Sequence, residues 1–105
     1  MGNLFNLDGK LSIVTGAASG LGKAVAMGLA EHGSDIVIVD RNDRGLLNTE
    51  KDLKKFGVEV RNIKTDLSSL EDIDILFEKV DLLERNIDFL ANVAGDGILG
   101  RPEKI

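Results

Sequence analysis

The chain has 105 residues, 43% of them apolar and 30% charged, the balance of one ordinary globular domain or part of one. Eighteen acidic against thirteen basic residues leave a net charge of −5, with the two signs mixed along the chain. No basic face is left for nucleic-acid phosphates, the lack of cysteine excludes disulfides and thiolate metal sites, and no apolar run of about 18 residues exists to span a membrane.

The start lacks the charged-then-apolar layout of a secretory signal, and Asn6 stands where a myristoylation motif after Met1-Gly2 needs Ser or Thr. The expected setting is cytoplasmic. Leu11-Ser12-Ile13-Val14 is a short apolar run that reads as a buried strand. It is followed by Thr15-Gly16-Ala17-Ala18-Ser19-Gly20-Leu21-Gly22, a loop almost without side-chain bulk. From Leu21 the pattern turns helical, with Leu21, Ala24 or Val25, and Gly28 or Leu29 expected on the inward face. Gly33 sits where a left-handed residue closes a helix.

Residues 35–40 enclose Ile36-Val37-Ile38-Val39, four β-branched residues in a row, as in a parallel strand covered on both faces. Residues 43–56 read as a second helix with Leu46, Leu53 and Phe56 inward, ended by Gly57. Val58, Val60 and Ile63 suggest a third strand. Ser68 and Glu71 form a capping box for a third helix, with Ile73, Leu76 or Phe77, Val80 and Leu83 at helical spacing. Asp72, Asp74, Glu78, Asp81 and Glu84 read as its wet face. Residues 87–91 are a fourth strand. Strands alternating with helices imply right-handed crossovers and a parallel sheet. The last ten residues, with Gly95, Gly97, Gly100 and the only proline, Pro102, show no periodicity. A helix is expected after the fourth strand, so the chain reads as part of a larger domain whose fourth strand has a free edge.

The glycine loop carries the chemistry. A helix N-terminus offers unpaired N–H groups and the positive end of its dipole, which hold a pyrophosphate. Gly16 permits the turn out of the strand, Gly20 lets backbone approach phosphate, and Gly22 allows tight helix packing. Asp40 ends the second strand, twenty residues beyond Gly20, where a carboxylate accepts both ribose hydroxyls and repels a 2′-phosphate. That favours NAD over NADP, although the Arg41 guanidinium beside it suits a 2′-phosphate. Asp66 follows the third strand and either faces a ligand or opens the turn before the next helix. Asn92 either orients a ligand through its amide or ties neighbouring backbone together. His32, near a helix C-terminus, reads as a dipole-satisfying residue. No paired general acid and base and no metal-ligand cluster stand out.

These segments together, with Asp66-Leu67 and Asn92-Val93-Ala94-Gly95, resemble the N-terminal half of the short-chain dehydrogenase/reductase family over nearly the whole chain. The resemblance implies a Rossmann-like three-layer αβα fold, with a parallel sheet of about four strands in the order 3-2-1-4, as one half of a doubly wound domain. Residues 1–105 would then be a partial NAD(P)-binding domain. By that resemblance Gly16, Ser19, Gly20, Leu21 and Gly22 hold the pyrophosphate, Asp40 and Arg41 meet the adenosine ribose, and Asp66 and Leu67 meet adenine. Asn92, Ala94 and Gly95 buttress the sheet beside the cofactor, with Val93 replacing the family's second asparagine. The family moves a hydride between nicotinamide and a secondary alcohol or ketone, using a serine and a Tyr-x-x-x-Lys pair. Those match positions beyond 105, and no tyrosine stands in for them, so no catalytic residue is assigned. The opening residues and 28–37 look like the gluconate and deoxygluconate dehydrogenase branch, whose parent enzymes are expected to be oligomeric. The alternative is a stand-alone nucleotide-binding or regulatory module without chemistry.

Overall fold

The computed structural model describes residues 6–93. The elements run β1 (Leu11–Thr15), α1 (Gly20–Glu31), β2 (Asp35–Asp40), α2 (Asp43–Leu53), β3 (Val60–Lys64), α3 (Leu70–Asp81) and β4 (Phe89–Asn92). All strand pairs are parallel, as the alternation of strands and helices implied, and the sheet order is β3-β2-β1-β4, as the resemblance implied.

Two apolar layers sandwich this sheet. Val14, Ile36 and Ile38 meet Ala26 and Ala30 of α1 and Leu46 and Leu53 of α2 on one face. Leu11, Ile13, Val37, Val39 and Ile63 meet Leu76 and Val80 of α3 on the other. This explains the unbroken β-branched run of β2: Ile36 to Val39 are fully buried, alternate residues serving opposite layers. Burying each such side chain stabilises by about 1.5–3 kcal/mol. The chain steps from β1 to β2 to β3, then returns to the other side of β1 for β4. The winding therefore reverses at β1, where an open α/β sheet leaves a crevice at its carboxyl edge.

Several expectations need correction. The most buried line of α1 is Gly22, Ala26 and Ala30, with Val25 and Leu29 partly buried against the same core as expected, while Leu21 is 69% exposed. Small residues let the helix lie close to the sheet, and that closeness outweighs the larger apolar groups nearby. The cap of α3 is Ser69, whose hydroxyl accepts the Asp72 N–H at 3.2 Å, not Ser68 with Glu71. Ser68 is already committed, since its N–H and hydroxyl both donate to Asp66 at 2.9 and 2.6 Å. Asp72 consequently leaves the wet face and accepts the Asp66 N–H at 2.9 Å. Helix α2 stops at Leu53 and tightens into a 3₁₀ turn, Lys54–Phe56, closed by left-handed Gly57. Strand β4 starts at Phe89, opposite Ser12, and its Phe89 and Leu90 are half exposed.

Candidate functional site: a glycine loop at the sheet's carboxyl edge

Every strand of the sheet ends near one of the residues singled out above. β1 runs into the glycine loop, β2 ends on Asp40, β3 is followed by Asp66, and β4 ends on Asn92. Ala94 and Gly95 lie outside the described residues. His32 sits at the far end of α1, with Nδ1 2.8 Å from the Gly28 carbonyl oxygen.

The loop leaves β1 through Gly16 at φ 71°, a left-handed turn that favours glycine. Its next two residues, Ala17 and Ala18, are buried. A Cβ on Gly22 would lie 1.9 Å from the Gly16 carbonyl oxygen, so the first turn of α1 rests directly on the loop's own backbone. Gly20 is the opposite case: its φ is 61°, and a Cβ there would meet no other atom within 4 Å. Ser19 precedes α1 in an extended conformation, and its hydroxyl makes no capping bond. The first turn also contains no acidic side chain. The helix thus presents its N–H groups and positive dipole end at an exposed, bulk-free position, the arrangement that accepts an anion.

Asp40 is drawn against this loop. One carboxylate oxygen accepts the Ala18 N–H at 3.0 Å and the other accepts the Asn42 N–H at 3.0 Å. A carboxylate has about four acceptor positions, so two remain for a ligand hydroxyl pair. Arg41 is exposed beside it.

Asp66 is placed as the turn-opening reading has it, binding the backbone and hydroxyl of Ser68. Those two donors, with the Arg41 charge as a smaller contribution, hold its carboxyl below the ordinary aspartate range. A carboxyl depressed in the folded state adds stability above its unfolded pKa, and that stability is lost as pH falls through the folded value. Ser68→Ala is expected to move the Asp66 titration back up towards the ordinary range, read from its carboxyl carbon by NMR. An unmoved titration would rule out the hydroxyl as the main cause. Leu67 is half-buried against the α3 layer. The Asn92 side-chain oxygen accepts the Thr15 hydroxyl at 2.8 Å, and the Thr15 oxygen accepts the Val93 N–H at 3.1 Å, so this pair ties β1 to β4 beside the loop.

The sequence reading missed the contribution of α2. Asn42 caps it by accepting the Gly45 N–H at 3.0 Å. A Cβ on Gly45 would lie 2.7 Å from Ala18 Cβ, so α2 begins in contact with the loop. Thr49 is fully buried and donates its hydroxyl to the Ala17 carbonyl at 2.9 Å. The signal was present: Leu46, Thr49 and Leu53 share one helical face.

A doubly wound parallel sheet with helices on both faces is a Rossmann-like αβα fold. The family model of the short chain dehydrogenases matches residues 10–104, and the chain belongs to that family. It is 38% identical over 90 residues to 3-oxoacyl-[acyl-carrier-protein] reductase FabG of Aquifex aeolicus, covering 85% of this chain and 36% of that protein. Among solved structures, L-sorbose reductase from Gluconobacter frateurii, complexed with NADPH and L-sorbose, superposes with a TM-score of 0.81. It is 33% identical, over 95% of this chain and 40% of that one. NAD+-bound xylitol dehydrogenase superposes with a TM-score of 0.76 at 36% identity, over 80% and 32% of the two chains. The chain spans about a third of the length of the curated relatives it matches.

Among the described residues no group of His, Asp and Glu is placed to hold a metal ion. None of their helices is long and apolar enough to cross a membrane.

Proposed function

We propose that this chain is the cofactor-holding part of an NAD-dependent oxidoreductase. The observation that carries this reading is the uncapped N-terminus of α1 at Gly20, open to solvent, with the Asp40 carboxylate bonded to the same loop. What supports a dinucleotide here is that Gly20 puts no side chain beside the exposed helix end, where a diphosphate would approach. When bound, a nicotinamide dinucleotide accepts or supplies a hydride. The N–H groups of the loop and first helical turn hold the diphosphate, while Asp40 accepts the adenosine ribose hydroxyls and disfavours a 2′-phosphate. Arg41 and Asp66 border the adenosine end, and Thr15 with Asn92 fixes β4 beside it.

The substrate of the whole protein is a secondary alcohol or ketone, with a sugar acid as the narrower proposal. The solved relatives named for L-sorbose and xylitol support a polyol class, and the mixture of NAD+ and NADPH among them makes Asp40 the residue to test. The whole protein is proposed to be oligomeric and cytoplasmic.

Gly20→Val tests the placement of the diphosphate. A branched side chain at φ 61° is strained and fills the approach, so NADH affinity is expected to fall by more than about tenfold in calorimetry. Unchanged affinity would place the diphosphate elsewhere.

A further inference from the structure

We propose that Thr49 is a positioning residue for the glycine loop, acting by clamping the Ala17–Ala18 peptide unit in one orientation. The inference rests on the reading of that loop as the diphosphate site. Threonine is an indifferent helix former, and a mid-helix hydroxyl ordinarily bonds back to the carbonyl four residues earlier. The Thr49 hydroxyl bonds outward instead, to the Ala17 carbonyl at 2.9 Å, with a longer contact of 3.5 Å to the Ala18 carbonyl. It does so from full burial, where a lost partner is not replaced by water.

The opposite end of the same peptide unit is held as well. The Ala18 N–H donates to Asp40 at 3.0 Å, and the preceding amide, Ala17 N–H, donates to the Val39 carbonyl at 3.2 Å. In a trans peptide the C=O and N–H point in opposite directions, so a bond at each end fixes the plane. Thr49 anchors this plane to α2, and Asp40 anchors it to β2. Gly45 brings α2 close enough for the anchor to reach, since a Cβ there would collide with Ala18. Holding the Ala18 carbonyl towards α2 keeps the Ser19 N–H, in the same peptide unit, directed away from it. Without the hydroxyl the buried carbonyls lack their donor, and the plane is free to turn. A ligand then has to reorder the loop on binding, which lowers its affinity.

Two variants of the chain separate positioning from packing. Thr49→Val keeps the buried volume and removes the donor, and Thr49→Ser keeps the donor and removes a methyl group. Binding of NADH and NADPH is measured by calorimetry under conditions where circular dichroism shows each variant folded. Thr49→Val is expected to weaken both dinucleotides about tenfold and by the same factor, because the diphosphate is common to them. Thr49→Ser is expected to bind as the parent chain does, although its Tm falls. If Thr49→Val does not fold, Thr49→Cys takes its place, its thiol a feeble donor and Thr49→Ser its control, since both lack the methyl group. Amide hydrogen exchange on the free chain gives a readout that needs no ligand: Ala18 and Ser19 should exchange faster in Thr49→Val, with β2 amides unchanged.

Equal affinity and equal exchange in Thr49→Val and the parent would overturn the positioning role, as would a loss in Thr49→Ser matching that in Thr49→Val. Failure of the parent chain to bind either dinucleotide, with loop exchange still dependent on Thr49, would instead defeat the cofactor reading and leave the clamp standing.

Discussion

Gly22→Ala is expected to destabilise the chain by about 3 kcal/mol or more and to abolish dinucleotide binding. The added Cβ would stand 1.9 Å from the Gly16 carbonyl oxygen and 2.5 Å from its carbon. Both are backbone atoms, so no rotamer change relieves the contact. Either α1 lifts from the sheet, exposing the line through Ala26 and Ala30, or the loop shifts and its amides lose their arrangement. The loss is a large part of the roughly 5–15 kcal/mol that holds a domain together. Urea unfolding followed by circular dichroism measures it: the midpoint should fall with an unchanged slope. A variant with the parent midpoint and intact NADH binding would show that α1 does not rest on Gly16 as described.

Asp40→Ala should weaken NADH by at least about tenfold and narrow the gap between NADH and NADPH. Two effects combine in this residue. Its carboxylate holds the Ala18 and Asn42 amides, so its loss loosens the loop for either dinucleotide. Its remaining acceptor positions serve the ribose, and its charge opposes a 2′-phosphate; only this second effect distinguishes the cofactors. Calorimetry with both therefore separates them. Equal losses would mean that Asp40 acts through the loop alone, and that Arg41 does not turn the site towards a phosphate once the carboxylate is gone.

The strands and the position of Asp40 were legible because each leaves a strong local mark, whereas the strand order followed only from the family resemblance. A run of four β-branched residues has few homes besides a strand buried on both sides, and an aspartate twenty residues beyond a glycine loop falls at the next strand's end. What was not legible depends on competition between neighbours. Ser68 and Ser69 each precede an acidic residue by three positions, so either could cap α3. Asp66 decides the matter by taking the Ser68 hydroxyl. In α1, apolar bulk pointed to Leu21, yet the sheet is approached through Gly22, Ala26 and Ala30 because closeness of packing matters more than side-chain size there. Thr49 shows the same limit, since its spacing places it inward but only the fold supplies the carbonyl it bonds.

The central claim is that the loop opening α1 and the carboxylate ending β2 receive one dinucleotide. Titrating NADH into the isotopically labelled chain and following backbone amide resonances tests it most directly. Saturable shifts centred on residues 16–22 and Asp40, reaching Arg41, Asp66 and Asn92, are expected, and Gly20→Val should erase them. Saturable shifts that instead map to the outer edge of β3, with the loop amides unmoved, would contradict it.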